Sequence, residues 1–136
     1  MEDLRNTMKN FKLSRRSLDR LECVKPLLIA IIVEAIQTSP IDFGIPQFGG
    51  VRTANQQNVL FKNKKSKCDG FHKKSYHQSG KAFDIFAYVD GKASWDEDHL
   101  TTIARHIQKV AIDKYDVRLQ WGGDFVNFVD MPHFQI

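Results

Sequence analysis

Apolar positions recur along the chain with two periods, near 3.6 and near 2 residues, and the changes between them mark the elements. Leu100, Ile103, Ala104, Ile107, Val110 and Ala111 stand at helical spacing and predict a long amphipathic helix from Trp95 to Lys114. Leu27, Leu28, Ile31, Ile32 and Ala35 make a second stripe, with Glu34 and Gln37 left to face solvent. That helix begins near Lys25-Pro26, with proline in its first turn, and ends at Ser39-Pro40. Ser14 is placed to cap a shorter helix, Arg15 to Glu22, with Leu18 and Leu21 on one face, and Thr53 to cap another from Ala54 to Lys62. Strands are expected at Ile41 to Ile45, Ala82 to Val89, Val117 to Gln120 and His133 to Ile136. Asp90-Gly91 should turn the second of these into a hairpin with Lys92-Ala93-Ser94. The pattern predicts an α+β fold: a small antiparallel sheet flanked by helices.

Composition changes this picture little. A chain of 136 residues is long enough for one domain, 1–136, with a real core, its first ten or so residues polar and flexible. No run of about 18 apolar residues exists to span a membrane, and the amino-terminal sequence lacks the order of a signal peptide. The expected location is therefore a cytoplasm, without stable membrane association, and the expected state a monomer. Cys23 and Cys68 form no CxxC pair and are expected as free thiols.

Charge adds more. The net charge is +4 and the excess is local, in Lys62, Lys64, Lys65, Lys67, Lys73 and Lys74. An anionic partner follows (nucleic acid, membrane or cell-wall polymer), unless the run is simply a solvated loop. Basic residues without interleaved aromatics make nucleic acid the weakest of these.

The candidate chemistry begins with Asp84. The strand around it is apolar enough to predict burial on both faces, where a lone carboxylate needs a cation or several donors. His77 lies upstream across a Ser-Gly turn, and His133 follows Asp130-Met131-Pro132, in which proline restricts the backbone between the two polar residues. Two histidines and one aspartate make a three-ligand zinc set with an open fourth position, and Asp130 would stand by as the carboxylate that accepts a proton from water. His99 and His106 read as ordinary helix residues, and His72 as a surface residue of the basic loop. Five histidines offer more than one cluster, so spacing alone leaves packed or exposed histidines as the alternative.

Ser75-x-His77-x-x-Gly80-x-Ala82-x-Asp84 resembles the SxHxxGxAxD signature of the zinc peptidases that include the D-alanyl-D-alanine carboxypeptidases and dipeptidases. Trp121-Gly122-Gly123-Asp124 through Asp130-Met131-Pro132-His133-Phe134 is similar to the phage endolysin branch, the L-alanyl-D-glutamate peptidases. So are Phe11 to Leu18, Ser39 to Phe43, and Gly50-Val51-Arg52-Thr53 with Gln56. The resemblance implies zinc held by His77, Asp84 and His133 in a cleft on the sheet, with Asp130 as catalytic acid/base. It implies Arg52 as a catalytic arginine that binds a substrate carboxylate or steadies the oxyanion. Ser75, Gln56 and Trp121 are weaker candidates for supporting or substrate-binding roles.

The implied function is endolysin cleavage of the L-alanyl-D-glutamate bond of bacterial peptidoglycan, with release through the host inner membrane. The rivals are a D-alanyl-D-alanine peptidase and a non-catalytic, zinc-stabilised wall-binding module. Two positions depart from the pattern. Residues 44–50 lack an acidic residue, and Lys25 stands where a histidine is expected.

Overall fold

The structure, a computed structural model, describes residues 10–136. The expectation for the extreme amino terminus therefore lies mostly outside the described residues, but Phe11 and Leu13 pack against the core. Helix α1 is Arg15–Arg20, and the Ser14 hydroxyl accepts the Ser17 N–H at 3.1 Å to start it. Its Leu21 end is buried, while Leu18 lies exposed. Helix α2 is Pro26–Thr38 and buries Leu28, Ile31, Ile32, Ala35 and Ile36. Leu27, expected in that stripe, is 38% exposed, because the buried face passes through positions 28, 31, 32, 35 and 36.

Strand β1 is Asp42–Gly44 and helix α3 is Ala54–Lys62. Strands β2 (Ala82–Asp84), β3 (Phe86–Val89) and β4 (Lys92–Ser94) precede helix α4, Glu97–Tyr115. Asp96 caps α4 by accepting the N–H groups of Asp98 and His99. All six positions of its predicted stripe are buried, and α4 packs on α2. Strands β5 (Gln120–Trp121) and β6 (His133–Gln135) complete the chain.

The sheet content is divided. One antiparallel sheet has the order β1-β3-β4 and the other β2-β6-β5. The single strand expected from Ala82 to Val89 thus serves both: β2 pairs with β6, and β3 pairs with β1 and β4. The change of partner falls at Ile85, whose N–H donates to the Pro132 carbonyl at 3.0 Å. Burial on both faces is also corrected. Phe83, Ile85 and Ala87 are buried, whereas Asp84 and Phe86 are half-buried and Tyr88 is exposed. One face of the segment meets the core and the other looks outward.

The hairpin at Asp90-Gly91 forms as expected, with φ of 53° and 77° at its two turn residues. The predicted strand Val117 to Gln120 shrinks to Gln120–Trp121. The reason is the helix end: Asp116 turns left-handed and the Val117 N–H bonds back to the Ala111 carbonyl, so these residues close α4 before pairing can begin. Among the described residues no helix is long and apolar enough to cross a membrane.

Candidate active site

Three elements deliver three side chains to one point. Asp84 and His133 are opposite one another in the β2–β6 register. His77 arrives on a short 3-10 helix, Tyr76–Ser79. Ser75 starts that helix by accepting the His77 N–H at 3.2 Å, and its own N–H donates to the Gln78 side chain at 2.9 Å. Gly80 ends it at φ 73°, and a side chain there would strike the Cys23 carbonyl. Ser75 therefore orients His77 through the backbone.

The polar atoms form a tight triangle. His77 Nε2 is 3.1 Å from Asp84 Oδ1 and 3.1 Å from His133 Nδ1, and His133 Nδ1 is 3.3 Å from Asp84 Oδ1. Each ring is fixed from behind. His77 Nδ1 lies 2.8 Å from the Gly50 carbonyl, which only accepts, so Nδ1 carries the proton. His133 Nε2 lies 2.7 Å from Gln135 Oε1, and the Gln135 amide is itself oriented by donating to Gln120 at 2.8 Å. In the neutral rings, Nε2 of His77 and Nδ1 of His133 thus turn bare lone pairs toward each other. Such a pair is stable only with a cation or a proton between its members.

The group fits a metal ion. A tetrahedral zinc with bonds of about 2.0–2.1 Å holds its ligand atoms about 3.3–3.4 Å apart, close to the observed triangle. The donor set of two imidazoles and one carboxylate, each imidazole hydrogen-bonded through its second nitrogen, could hold a divalent metal ion.

Arg52 stands behind Asp84. Its Nη2 donates to Asp84 Oδ2 at 2.9 Å, its Nη1 to Gln57 Oε1 at 3.0 Å and its Nε to the Phe48 carbonyl at 2.8 Å. Oδ2 is thereby occupied and Oδ1 alone is left for the triangle. Burial opposes ionisation of Asp84, but the His77 charge, hydrogen bonds from both histidines and the Arg52 charge outweigh it and hold the carboxyl well below the usual range.

Asp130 lines the same cleft. Its backbone N–H donates to the Gly122 carbonyl at 2.9 Å, and a side chain at Gly122 would collide with the Asp130 carbonyl. Gly122 is thus a glycine so that the Asp130 loop can approach. Burial, helped by the Asp84 charge, raises the Asp130 pKa against the pull of His133, His77 and Arg52. The shift favours the protonated form of this half-buried carboxyl more than in an exposed aspartate.

Residues 9–134 match the sequence model of a family described as phage L-alanyl-D-glutamate peptidase. The chain belongs to this family. It is 30% identical to the L-alanyl-D-glutamate peptidase of Escherichia phage T5 over 116 residues, 85% of this chain and 82% of that one. The crystal structure of the Serratia marcescens L-Ala D-Glu endopeptidase ChiX superposes with a TM-score of 0.81 at 27% identity, covering 96% of this chain and 93% of that one.

As expected for a member of a peptidase family, the site opens into a substrate-sized groove. The cleft measures about 680 Å³, and His77, Asp84, Asp130 and His133 lie along it. The basic loop forms part of the wall through Lys65, Lys67, Lys73 and Lys74. Lys67 reaches over the Phe128 ring at 5.4 Å, joining that loop to the Asp130 segment.

Two weaker candidates fall away from the cleft. Gln56 accepts the Thr53 N–H at 2.9 Å in a capping box and so serves the start of α3. Trp121 is buried, with its indole N–H on the Met131 carbonyl, and it anchors the Asp130 segment from the core side. His99 and His106 are structural, bonding Ser94 and the α2 end, and His72 is exposed.

Sequence reasoning missed Gln57 and Gln135. Gln57 is fully buried and ties Arg52 to the basic loop through Ser66 Oγ and the Cys68 carbonyl, both at 2.9 Å. Gln135 had a legible signal: two residues beyond His133 in a strand, it shares that residue's face.

Proposed function

We propose that this chain is a zinc-dependent endopeptidase that hydrolyses the L-alanyl-D-glutamate bond of the peptidoglycan stem peptide, as a phage endolysin. The observation that carries this reading is the triangle of His77, Asp84 and His133 with Asp130 in the same groove, in a chain of this family.

His77, Asp84 and His133 would hold the zinc ion, which would supply Lewis acidity toward the scissile carbonyl and a more acidic water. Asp130 takes the proton from the attacking water and returns it to the departing amine of D-glutamate. Arg52 keeps Asp84 ionised and leaves one oxygen forward, with its guanidinium held by three acceptors at the wall of the cleft. Gly50 and Gln135 keep the ring tautomers that present Nε2 of His77 and Nδ1 of His133. The protein acts as a monomer on the wall after passing the host inner membrane, and its lysine-lined groove favours an anionic polymer.

Mass spectrometry of purified peptidoglycan digested by the zinc-loaded protein tests the reading. New free amines on D-glutamate are expected; released D-alanine would assign the site to the carboxypeptidase reaction instead.

A further inference from the structure

The chain does not stop at the metal ligands. Asp84, Phe86 and Tyr88 alternate with the buried Ile85 and Ala87, so the three share the outward face of one extended segment. At about 3.3 Å per residue, Phe86 stands about 7 Å beyond Asp84 along the backbone, and Tyr88 about 13 Å beyond it. Trp95 lines the catalytic groove and is 53% exposed. Its ring centroid lies 6.0 Å from that of Phe86, which in turn lies 6.5 Å from that of Tyr88. The three rings therefore make a row that starts in the cleft and leaves it across the outer face of the β1–β3–β4 sheet. Gly44 keeps the row low, since a Cβ there would meet the Phe86 ring at 2.9 Å. A groove of about 730 Å³ runs beside it, rimmed by Lys12, Arg15, Arg16 and Arg20.

We propose that this row binds the glycan strand that bears the stem peptide, with the sugar carrying the scissile peptide stacked on Trp95 and Phe86. The proposal rests on the peptidoglycan reading of the cleft. In peptidoglycan the L-alanine is joined to the N-acetylmuramyl sugar through a lactyl group. Two extended units, alanyl and lactyl, span about 7 Å, so a substrate with its alanyl carbonyl at the metal must place its sugar within about that distance of the ligands. The C–H faces of pyranose rings pack on aromatic faces, and hydroxyl and acetamido groups match a rim of cationic donors. A second copy of the chain fits poorly, because pairing this face with itself would oppose two sets of the same arginines.

The full-length, zinc-loaded protein is assayed on a muramyl-linked stem peptide and on the same peptide acetylated in place of the sugar. Trp95→Ala is expected to lower the ratio of the two kcat/KM values by roughly five- to tenfold, with Trp95→Phe retaining most of it. Equal losses on both substrates would overturn the proposal. So would a wild-type dimer in sedimentation that Tyr88→Ala abolishes, since the face would then belong to a second copy. If the wild type cleaves neither substrate, the peptidase reading has failed, and peptide-free glycan strands still decide this one. Quenching of tryptophan fluorescence that Tyr88→Ala weakens supports it, and no quenching rejects it.

Discussion

Asp84 and His133 are direct cross-strand partners of β2 and β6, so a strand register holds two members of the candidate metal triangle together. Residues opposite in an antiparallel pair keep their Cβ atoms about 4.5–5.5 Å apart. A slip of one residue would send one of the two side chains to the other face. Stacking of Phe83 on Phe134, at 4.9 Å and 8° between planes, pins that register from the core side. His133→Ala keeps the register and removes one corner of the triangle. The protein should stay folded by circular dichroism yet purify with little zinc, measured by metal analysis, and should lose activity.

Gln135→Leu addresses the ring from behind. Without an acceptor on Nε2, His133 is free to change tautomer and turn. Zinc affinity should fall by about 10–100-fold in competition with a chromophoric chelator, while the folded structure persists. Unchanged affinity would show that Gln135 does not orient the ligand.

Asp130→Asn separates metal binding from turnover. The variant should retain a full complement of zinc and lose about 10²–10⁴-fold in kcat, as expected for loss of general acid/base chemistry. Activity near that of the wild type would reject the role given to Asp130.

Arg52→Ala removes three hydrogen bonds at once and leaves Asp84 Oδ2 without its cation. Chemical denaturation of the metal-free protein should show a loss of about 1.5–3 kcal/mol. Arg52→Lys restores the charge but not the fork, so it should recover only part of that loss.

Metal uptake should be coupled to proton release. Burial disfavours the charged form of His133, but the hydrogen bond and charge of Asp84, supported by Gln135 and Asp130, outweigh it and raise the pKa in the metal-free protein. An incoming metal must displace that proton. Affinity should therefore fall as the pH drops, beginning above the ordinary histidine value of about 6.5. For folding, the raised pKa contributes stability that is fully present below about pH 6.5 and is lost as pH rises through the higher folded value. Calorimetry of zinc binding in buffers of different ionisation enthalpy reads the proton count, and none released at pH 6.5 would contradict a protonated His133.

Much of the site was legible because its residues are costly where they stand. An aspartate in an apolar run demanded a partner, and the helix stripe from Leu100 to Ala111 carried its period openly. The division of Ala82 to Val89 between two sheets was not legible. The apolar run continues unbroken from Ile85 to Val89, and no residue there marks a change of hydrogen-bonding partner. The choice between Gln56 and Gln57 turned on helix phase: one side chain bends back to cap Thr53, and the next faces Arg52. Arg52 itself was visible, but its occupation by Asp84 depends on a contact 32 residues distant.

The most direct measurement is anomalous diffraction at the zinc edge from crystals of the zinc-loaded protein. A single strong peak is expected about 2.0–2.1 Å from Asp84 Oδ1, His77 Nε2 and His133 Nδ1, with Arg52 still on the other carboxylate oxygen. An empty triangle in zinc-loaded, active protein, or a peak held by other residues, would contradict the site.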